Sequence, residues 1–245
     1  MKIMPFLLLA VLWQTASMSG LLPAAVLPPF SSVVAALVSL VTSGEIFPHT
    51  AASFLRAGAG LLLAVIFGTA LGLAMARVRA IQRSIEPILL SIYPVPKPAL
   101  IPLFMVWLGI GDVSKIAVIA LSCLVPVVIS SFNGARAVDD VLLWSARARG
   151  TPEYRLLWRV VLPAALPQIA TGVRTAIAIA LIVMVSSEFI SAEHGLGYLI
   201  FSYGGVGADD AMLAVVLYLT AIGFLIDRTY VAGLRRLLAW HAFAH

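Results

Sequence analysis

The sequence predicts an all-α, polytopic membrane protein with about six transmembrane helices. Its 245 residues are 62% hydrophobic and 11% charged, and the mean hydropathy is +1.06. A soluble domain carries about 25% charged residues, so this composition indicates that much of the chain is solvated by lipid. The charged residues cluster between long apolar segments, as in chains that cross a bilayer several times. We therefore expect residues 1–245 to form a single transmembrane domain.

The composition also argues against other kinds of site. The formal charge is +5 and the pI is about 9.7. The basic residues lack the interleaved aromatic side chains of a nucleic-acid-binding patch, so we expect no nucleic-acid partner. The four histidines are scattered and the single Cys123 lies in an apolar run, so we expect no metal site and no internal disulfide.

The first residues predict one span and a loop. Met1 to about Leu22 is apolar after Lys2, which indicates a spanning helix, with a signal peptide as the alternative. The following residues, up to His49, contain several prolines, and an amphipathic helix is expected over Ser31–Val41. We place this loop on the far side of the membrane from the cytoplasm.

The second span is expected over about Leu55–Ala76 and should pack closely on a neighbouring helix. Small residues recur at every fourth position within it, which forms a ridge that lets two helices approach; they are Ala64, Gly68, Gly72 and Ala76. Three arginines follow at once, so this end of the span should be cytoplasmic; they are Arg77, Arg79 and Arg83.

The third span, about Ile85–Leu108, is predicted to be irregular because several prolines interrupt it. Lys97 lies in its middle, where an ammonium group costs about 2.5–3.5 kcal/mol on insertion scales. Lys97 should therefore either line a pathway that attracts an anion, or be a structural lysine that snorkels to an interface or pairs with a carboxylate. We assign Tyr93 to the same candidate pathway.

The remaining spans are expected over about Ile116–Phe132, Ile169–Ile190 and Ala211–Ile226. Ser187 and Glu188 lie toward the far end of the fifth span, and we include both in the candidate pathway. An acid inside a span either lines such a pathway or belongs to an ion pair, and the pairing of Glu188 with Lys97 or Arg56 is the alternative.

The most polar segment, about residues 136–165, lies between the fourth and fifth spans and predicts two short helices. Asp139 and Asp140 suit the start of the first, and Gly150 suits its end because glycine takes a left-handed conformation at little cost. In the second helix, we expect Thr151 as the N-cap, Pro152 at the first helical position and Glu153 as the acid of the first turn. Two later prolines, Pro163 and Pro167, should break or bend the chain.

Charge placement orients the chain with both termini in the cytoplasm. This orientation leaves Lys115 and Arg56 outside and places twelve of the sixteen Lys and Arg residues inside, namely Lys2, Arg77, Arg79, Arg83, Arg136, Arg147, Arg149, Arg155, Arg159, Arg228, Arg235 and Arg236. It places five acids outside, namely Glu45, Asp112, Glu193, Asp209 and Asp210. The polar segment between the fourth and fifth spans then lies in the compartment that holds ATP.

This polar segment resembles the EAA loop of the membrane subunits of binding-protein-dependent ABC importers. The resemblance rests on the run from Ala146 to Gly150 and on Leu162-Pro163, twelve and thirteen residues after the glycine. The usual Glu of that loop falls at Trp144, and Ser145 replaces its first Ala. Two other segments are similar to the sulfonate/nitrate/taurine branch, namely Pro98–Leu103 and Gly195-Leu196-Gly197-Tyr198.

The resemblance implies a type I ABC importer-like permease in the bacterial cytoplasmic membrane, with the loop as a coupling helix docked on an ABC ATPase. The coupling residues it implies are Ala146, Arg147, Gly150, Thr151, Pro152, Glu153, Arg155, Leu162 and Pro163. It also implies a second permease copy that completes a homodimer, a periplasmic or lipid-anchored substrate-binding protein, and surrounding lipid. The sequence contains no Walker A pattern, so ATP and Mg²⁺ are expected to bind the ATPase. We expect the chain itself to be a transport subunit and not an enzyme.

The branch implies import of a small anion such as an alkanesulfonate, taurine or nitrate. Import of a thiamine-precursor pyrimidine or another small heterocycle is the alternative. A secondary transporter is a further alternative, but the halves of the sequence show no repeat and the spans hold few charges.

Overall fold

The computed structural model describes residues 4–20, 23 and 26–238, and every regular element in these ranges is a helix. The helices are α1 Met4–Met18, α2 Phe30–Thr42, α3 Ile46–Arg77, α4 Arg79–Ile92, α5 Ile101–Leu108, α6 Asp112–Arg136, α7 Asp140–Ala148, α8 Glu153–Leu156, α9 Leu162–Ser191, α10 Leu196–Gly205 and α11 Asp209–Leu237. The chain divides into two compact units. Unit 1 comprises Met1–Leu55 and Val185–Phe224, and unit 2 comprises Arg56–Met184 and Leu225–His245.

Four helices of the described residues are long and apolar enough to cross a membrane, and a bent pair supplies a fifth candidate. The four are Ile46–Arg77, Asp112–Arg136, Glu153–Ile190 and Asp209–Leu237. The span predicted for Met1 to about Leu22 is not among them. The helix α1 has 15 residues and rises only about 22 Å, whereas the hydrocarbon core is about 30 Å thick. Lys2, Leu21 and Leu22 lie outside the described residues.

Unit 1 is built around an apolar cluster that joins α2, α10 and the first turns of α3 and α11. Val33 and Leu40 are buried on one face of α2, which confirms the amphipathic helix predicted over Ser31–Val41. The indole nitrogen of Trp13 on α1 donates a hydrogen bond to the Pro28 carbonyl at 2.9 Å, which attaches α1 to the proline-rich loop.

In unit 2, the glycine ridge of α3 packs directly on α6, as predicted. A Cβ on Gly72 would lie 2.6 Å from Ser131 Cβ and 2.6 Å from the Val128 carbonyl oxygen, so only glycine permits this approach. Three contacts have a constant offset in residue number, which shows that α3 and α6 run parallel; they are Gly60 with Ile119, Gly68 with Val127, and Gly72 with Ser131.

Because α3 and α6 are parallel, the chain between them must return to the starting side of the unit. It does so through α4, a 3-10 turn over Lys97–Leu100 and α5, with a bend of 95°. This bent pair therefore crosses the unit once, as an interrupted span. The prediction of an irregular, proline-broken third span is confirmed.

The other long helices of unit 2 alternate in direction. Gly134 approaches Ala165, and Gly172 approaches Ser130, so α6 and α9 are antiparallel. The hydroxyl of Tyr230 on α11 donates to the Ala170 carbonyl on α9 at 2.8 Å. Asp227, three residues before Tyr230, pairs with Arg174, four residues after Ala170, so α9 and α11 are antiparallel as well.

The last turns of α3, α6 and α11 thus lie at one end of unit 2, which we call the basic end. All three carry arginine there, namely Arg77, Arg136, Arg235 and Arg236.

Candidate functional site

The candidate site is the polar segment at the basic end of unit 2, and its first helix starts as the sequence predicts. Asp139 is the N-cap of α7, and its Oδ1 accepts a hydrogen bond from the Val141 N–H at 2.9 Å. Asp140 adds a carboxylate in the first turn, where the positive end of the helix dipole favours it.

Gly150 ends this helix, as predicted. Its φ is +76°, in the left-handed region, and its N–H donates to the Arg147 carbonyl at 2.8 Å. The N–H of Thr151 donates to the Ala146 carbonyl at 3.1 Å. These two bonds are those of a Schellman motif, which satisfies the last carbonyls of a helix and reverses the chain sharply.

The second helix starts one residue later than predicted. Pro152 takes an extended conformation with ψ of 151°, and α8 begins at Glu153 without a side-chain cap. The assignment of Thr151 as N-cap and Pro152 as first helical residue is therefore wrong. The reason is that the N–H of Thr151 still closes the last turn of α7, so the chain can enter the next helix only after Pro152.

Of the break or bend predicted at Pro163 and Pro167, the break does not occur. The chain widens into a π turn over Leu157–Val161 and continues without a break as α9. The Leu162 N–H donates to the Leu157 carbonyl, five residues back. A proline lacks an N–H and crowds the carbonyl four residues before it, and the wider turn immediately ahead of Pro163 accommodates both effects.

An ion pair joins the two helices across the Gly150 turn. Arg147 Nε lies 2.7 Å from Glu153 Oε1, and Arg147 Nη2 lies 3.4 Å from Oε2. This hydrogen bond and the charge of Glu153 raise the pKa of Arg147 above its ordinary value. Both residues were expected in the coupling loop, but no helical spacing relates them in sequence, so their pairing was not foreseen.

Apolar contacts seat this pair of helices on two spans. Leu143, Leu156 and Val161 are buried in a cluster that also contains Leu73 of α3 and Ala135 of α6. Three aromatic side chains of the segment are open to the surroundings, namely Trp144, Tyr154 and Trp158, each more than 60% exposed. An adjoining cleft of about 760 Å³ has Arg149, Arg159 and Pro163 in its wall. We call this segment, α7 and α8 with the turn between them, the coupling projection; its unburied apolar and basic side chains suit docking on another protein.

The first pair of predicted pathway residues lies at the break of the third span. The Lys97 ammonium group donates to the carbonyls of Ile92, Tyr93 and Val95 at 2.7, 2.7 and 2.8 Å. It therefore caps the carboxyl end of α4, where carbonyls lack helical partners and a cation is favoured. The Tyr93 side chain is exposed. These contacts give Lys97 a structural role. That Lys97 also lines the translocation pathway stays a prediction.

The second pair, Ser187 and Glu188, is buried in unit 1. The Ser53 hydroxyl lies 2.8 Å from each carboxylate oxygen of Glu188, and the Gly197 N–H donates to Glu188 Oε2 at 2.9 Å. Ser53 Oγ also accepts from the Leu196 N–H at 2.8 Å. Glu188 and Ser53 together hold the first N–H groups of α10, and the pairing of Glu188 with Lys97 or Arg56 stays a prediction.

Two further features of the charged and polar residues were not expected from the sequence. Arg174 on α9 pairs with Asp227 on α11 through two bonds of 2.6 and 2.8 Å. His49 on α3 accepts the Gly195 N–H at 3.0 Å through Nδ1. The signal for the pair of Arg174 and Asp227 was two opposite charges in otherwise apolar spans. Only the antiparallel packing of α9 and α11 shows that these two charges meet.

Comparison with known proteins gives a consistent result. The profile of the family described as "binding-protein-dependent transport system inner membrane component" matches residues 60–238. The chain is 35% identical to the taurine transport system permease protein TauC of Escherichia coli K12, over 96% of this chain and 86% of the relative. It is 33% identical to the putative aliphatic sulfonates transport permease protein SsuC of Bacillus subtilis 168, over 97% and 86%.

The fold also has a solved counterpart. A chain of the MetNI methionine ABC transporter, in inward-facing conformations, superposes with a TM-score of 0.62 at 20% identity, covering 78% of this chain and 93% of that one. The all-α, type I importer-like fold is thereby confirmed. This protein belongs to the family of inner membrane components of binding-protein-dependent transport systems and is a multi-pass permease subunit.

Proposed function

We propose that this chain forms the membrane pathway of an ABC importer for a small organic sulfonate, such as taurine or another alkanesulfonate. Its relatives named for taurine and aliphatic sulfonates share 33–35% identity over at least 96% of the chain. The observation that carries the coupling role is the coupling projection formed by α7 and α8. It is closed by Gly150, bridged by Arg147 and Glu153, and seated on α3 and α6.

In this proposal the basic end of unit 2 and the carboxyl end of α11 face the cytoplasm. The clustering of arginine at the ends of three parallel helices supports this orientation, because positive residues are retained on the cytoplasmic side. The projection then meets an ABC ATPase, which binds ATP and Mg²⁺. The permease sequence has no Walker A pattern, so ATP binding through a P-loop is assigned to that ATPase.

The proposed coupling follows from the continuity of the helix. The chain runs from Glu153 through the π turn into α9 without a break, so a displacement of α8 moves α9 as well. The apolar cluster transmits the same displacement to α3 and α6 through Leu73 and Ala135. Closing of the ATPase on ATP thus rearranges several spans together. A second copy of the permease, surrounded by lipid, completes the pathway, and a binding protein delivers the solute on the far side.

Transport by a reconstituted complex tests this function. The permease is purified with an ABC ATPase and a sulfonate-binding protein from the same organism and is placed in proteoliposomes with radiolabelled taurine. We expect uptake that requires ATP and Mg²⁺, and a rise of about tenfold in ATP hydrolysis when the loaded binding protein is present. Unlabelled ethanesulfonate should compete, while nitrate and a pyrimidine should not. Uptake with ADP alone, driven by an ion gradient, would refute an ATP-driven importer. Competition by the pyrimidine alone would refute only the substrate.

A further inference from the structure

A pocket of about 260 Å³ lies between α9 and α11 at the basic end of unit 2. One part of its wall is apolar and consists of Val231, Leu234 and Leu238. Two guanidinium groups, those of Arg174 and Arg235, also line it. The pocket thus combines an apolar surface with two cations, and none of these residues belongs to the coupling projection.

The charges around the pocket favour an anion. Arg174 uses Nε and Nη2 in its pair with Asp227, so the two N–H groups of Nη1 lie outside that ion pair. Three more arginines follow Asp227 on α11, namely Arg228, Arg235 and Arg236. At the pocket itself, Arg174, Arg235 and the paired Asp227 give a formal charge of +1, which exceeds the roughly −0.5 charge of a helix carboxyl end.

The height of the pocket matches the lipid headgroups. The apolar run of α11 ends at Ile226, and the pocket begins one turn later, at Val231, and extends to Leu238. A residue at this level lies where the hydrocarbon meets the phosphates. Free inorganic phosphate would gain nothing from the apolar wall, whereas a phospholipid places its phosphate and its upper acyl carbons side by side.

We propose that this pocket binds an anionic phospholipid of the leaflet at the basic end, with the lipid phosphate between Arg174 and Arg235 and the upper acyl chain against Val231, Leu234 and Leu238. Basic pockets between transmembrane helices on the cytoplasmic side bind such headgroups in general. The proposal concerns a site outside the coupling projection and does not depend on which solute is carried.

Native mass spectrometry of the full chain, released from nanodiscs with equal phosphatidylglycerol and phosphatidylcholine, tests the site. We expect wild-type protein to retain phosphatidylglycerol preferentially. The Arg235→Gln variant should lose about fivefold in this preference, since one basic side chain near anionic lipid contributes about 1 kcal/mol. Arg235→Lys should keep most of the preference, because it keeps the charge.

Arg236→Gln is the matched control, because it removes the same charge from the same helical turn but does not line the pocket. Its phosphatidylglycerol preference should change by less than about twofold. An equal loss in both glutamine variants would show diffuse attraction and overturn the proposal, as would absence of any preference in the wild type. Displacement of the lipid by inorganic phosphate at 5–10 mM, roughly the level at which a weak ion site fills, would reassign the pocket to a free anion and also overturn it.

Discussion

Gly150→Val is expected to lower both solute-stimulated ATP hydrolysis and uptake by about tenfold or more in the reconstituted complex. Gly150 has φ of +76°, where a side chain costs about 1–2 kcal/mol and a β-branched one costs more. No heavy atom lies within 4 Å of a Cβ at this position, so the penalty comes from the backbone alone. The chain relieves it by opening the Schellman turn, which also separates Arg147 from Glu153.

Gly150→Asn is the matched control, since asparagine adopts the left-handed conformation most readily after glycine. It adds a polar side chain to the same open position and should retain at least about half of the stimulated activity. Both variants should bind the ATPase in co-purification and should hydrolyse ATP at the basal rate. Wild-type stimulation in the valine variant would show that the geometry of this turn does not transmit the movement.

Gly195→Ala is expected to destabilise the permease itself. At φ of 141° and ψ of 163°, Gly195 occupies a region that is essentially restricted to glycine, and a Cβ there would overlap the Glu188 carboxylate. Displacement of Glu188 would leave the buried N–H of Gly197 and the hydroxyl of Ser53 without this acceptor. Strain of about 1–3 kcal/mol and unmet hydrogen bonds of about 1–3 kcal/mol predict a thermal midpoint roughly 5–15 °C lower.

The measurement is thermal unfolding of the full chain in detergent, followed by size-exclusion recovery. Gly207→Ala provides the comparison, because Gly207 also has a positive φ, +72°, but no heavy atom lies within 4 Å of its Cβ position. Its midpoint should fall by only about 2–6 °C, which is the effect of backbone strain alone. Equal shifts in the two variants would show that the Glu188 carboxylate is not held as the structure indicates.

Much of the architecture follows from the sequence because the signals are local. The prolines of the third span and the caps at Asp139 and Gly150 act within a few residues of their own positions, and the glycine ridge of α3 is visible as a four-residue repeat on one helix. The hydrophobic pattern also marks each long span. The ends of the spans were less predictable, since α11 continues to Leu237, eleven residues past Ile226, without any change in helical geometry.

The parts of the site that escaped prediction depend on tertiary contacts. Pro163 is accommodated by a π turn in a helix whose Val161 is buried with residues of α3 and α6. The sequence pattern indicates neither the wider turn nor these contacts. The partners of Lys97 are backbone carbonyls, and such acceptors leave no trace in residue identity. The pair of Arg174 with Asp227 joins residues 53 positions apart, which only the packing of α9 on α11 brings together.

Photocrosslinking from Tyr154 tests most directly whether the α7–α8 projection couples the permease to an ATPase. Tyr154 is 64% exposed on α8, and Val113 is 63% exposed at the opposite end of unit 2, in the first turn of α6. Each is replaced in turn by p-benzoylphenylalanine, and the complex is irradiated in membranes with ADP or with a non-hydrolysable ATP analogue. The coupling proposal predicts a crosslink to the ATPase from position 154 and none from position 113. A crosslink from position 113 alone, or none from position 154 in either nucleotide state, would contradict it.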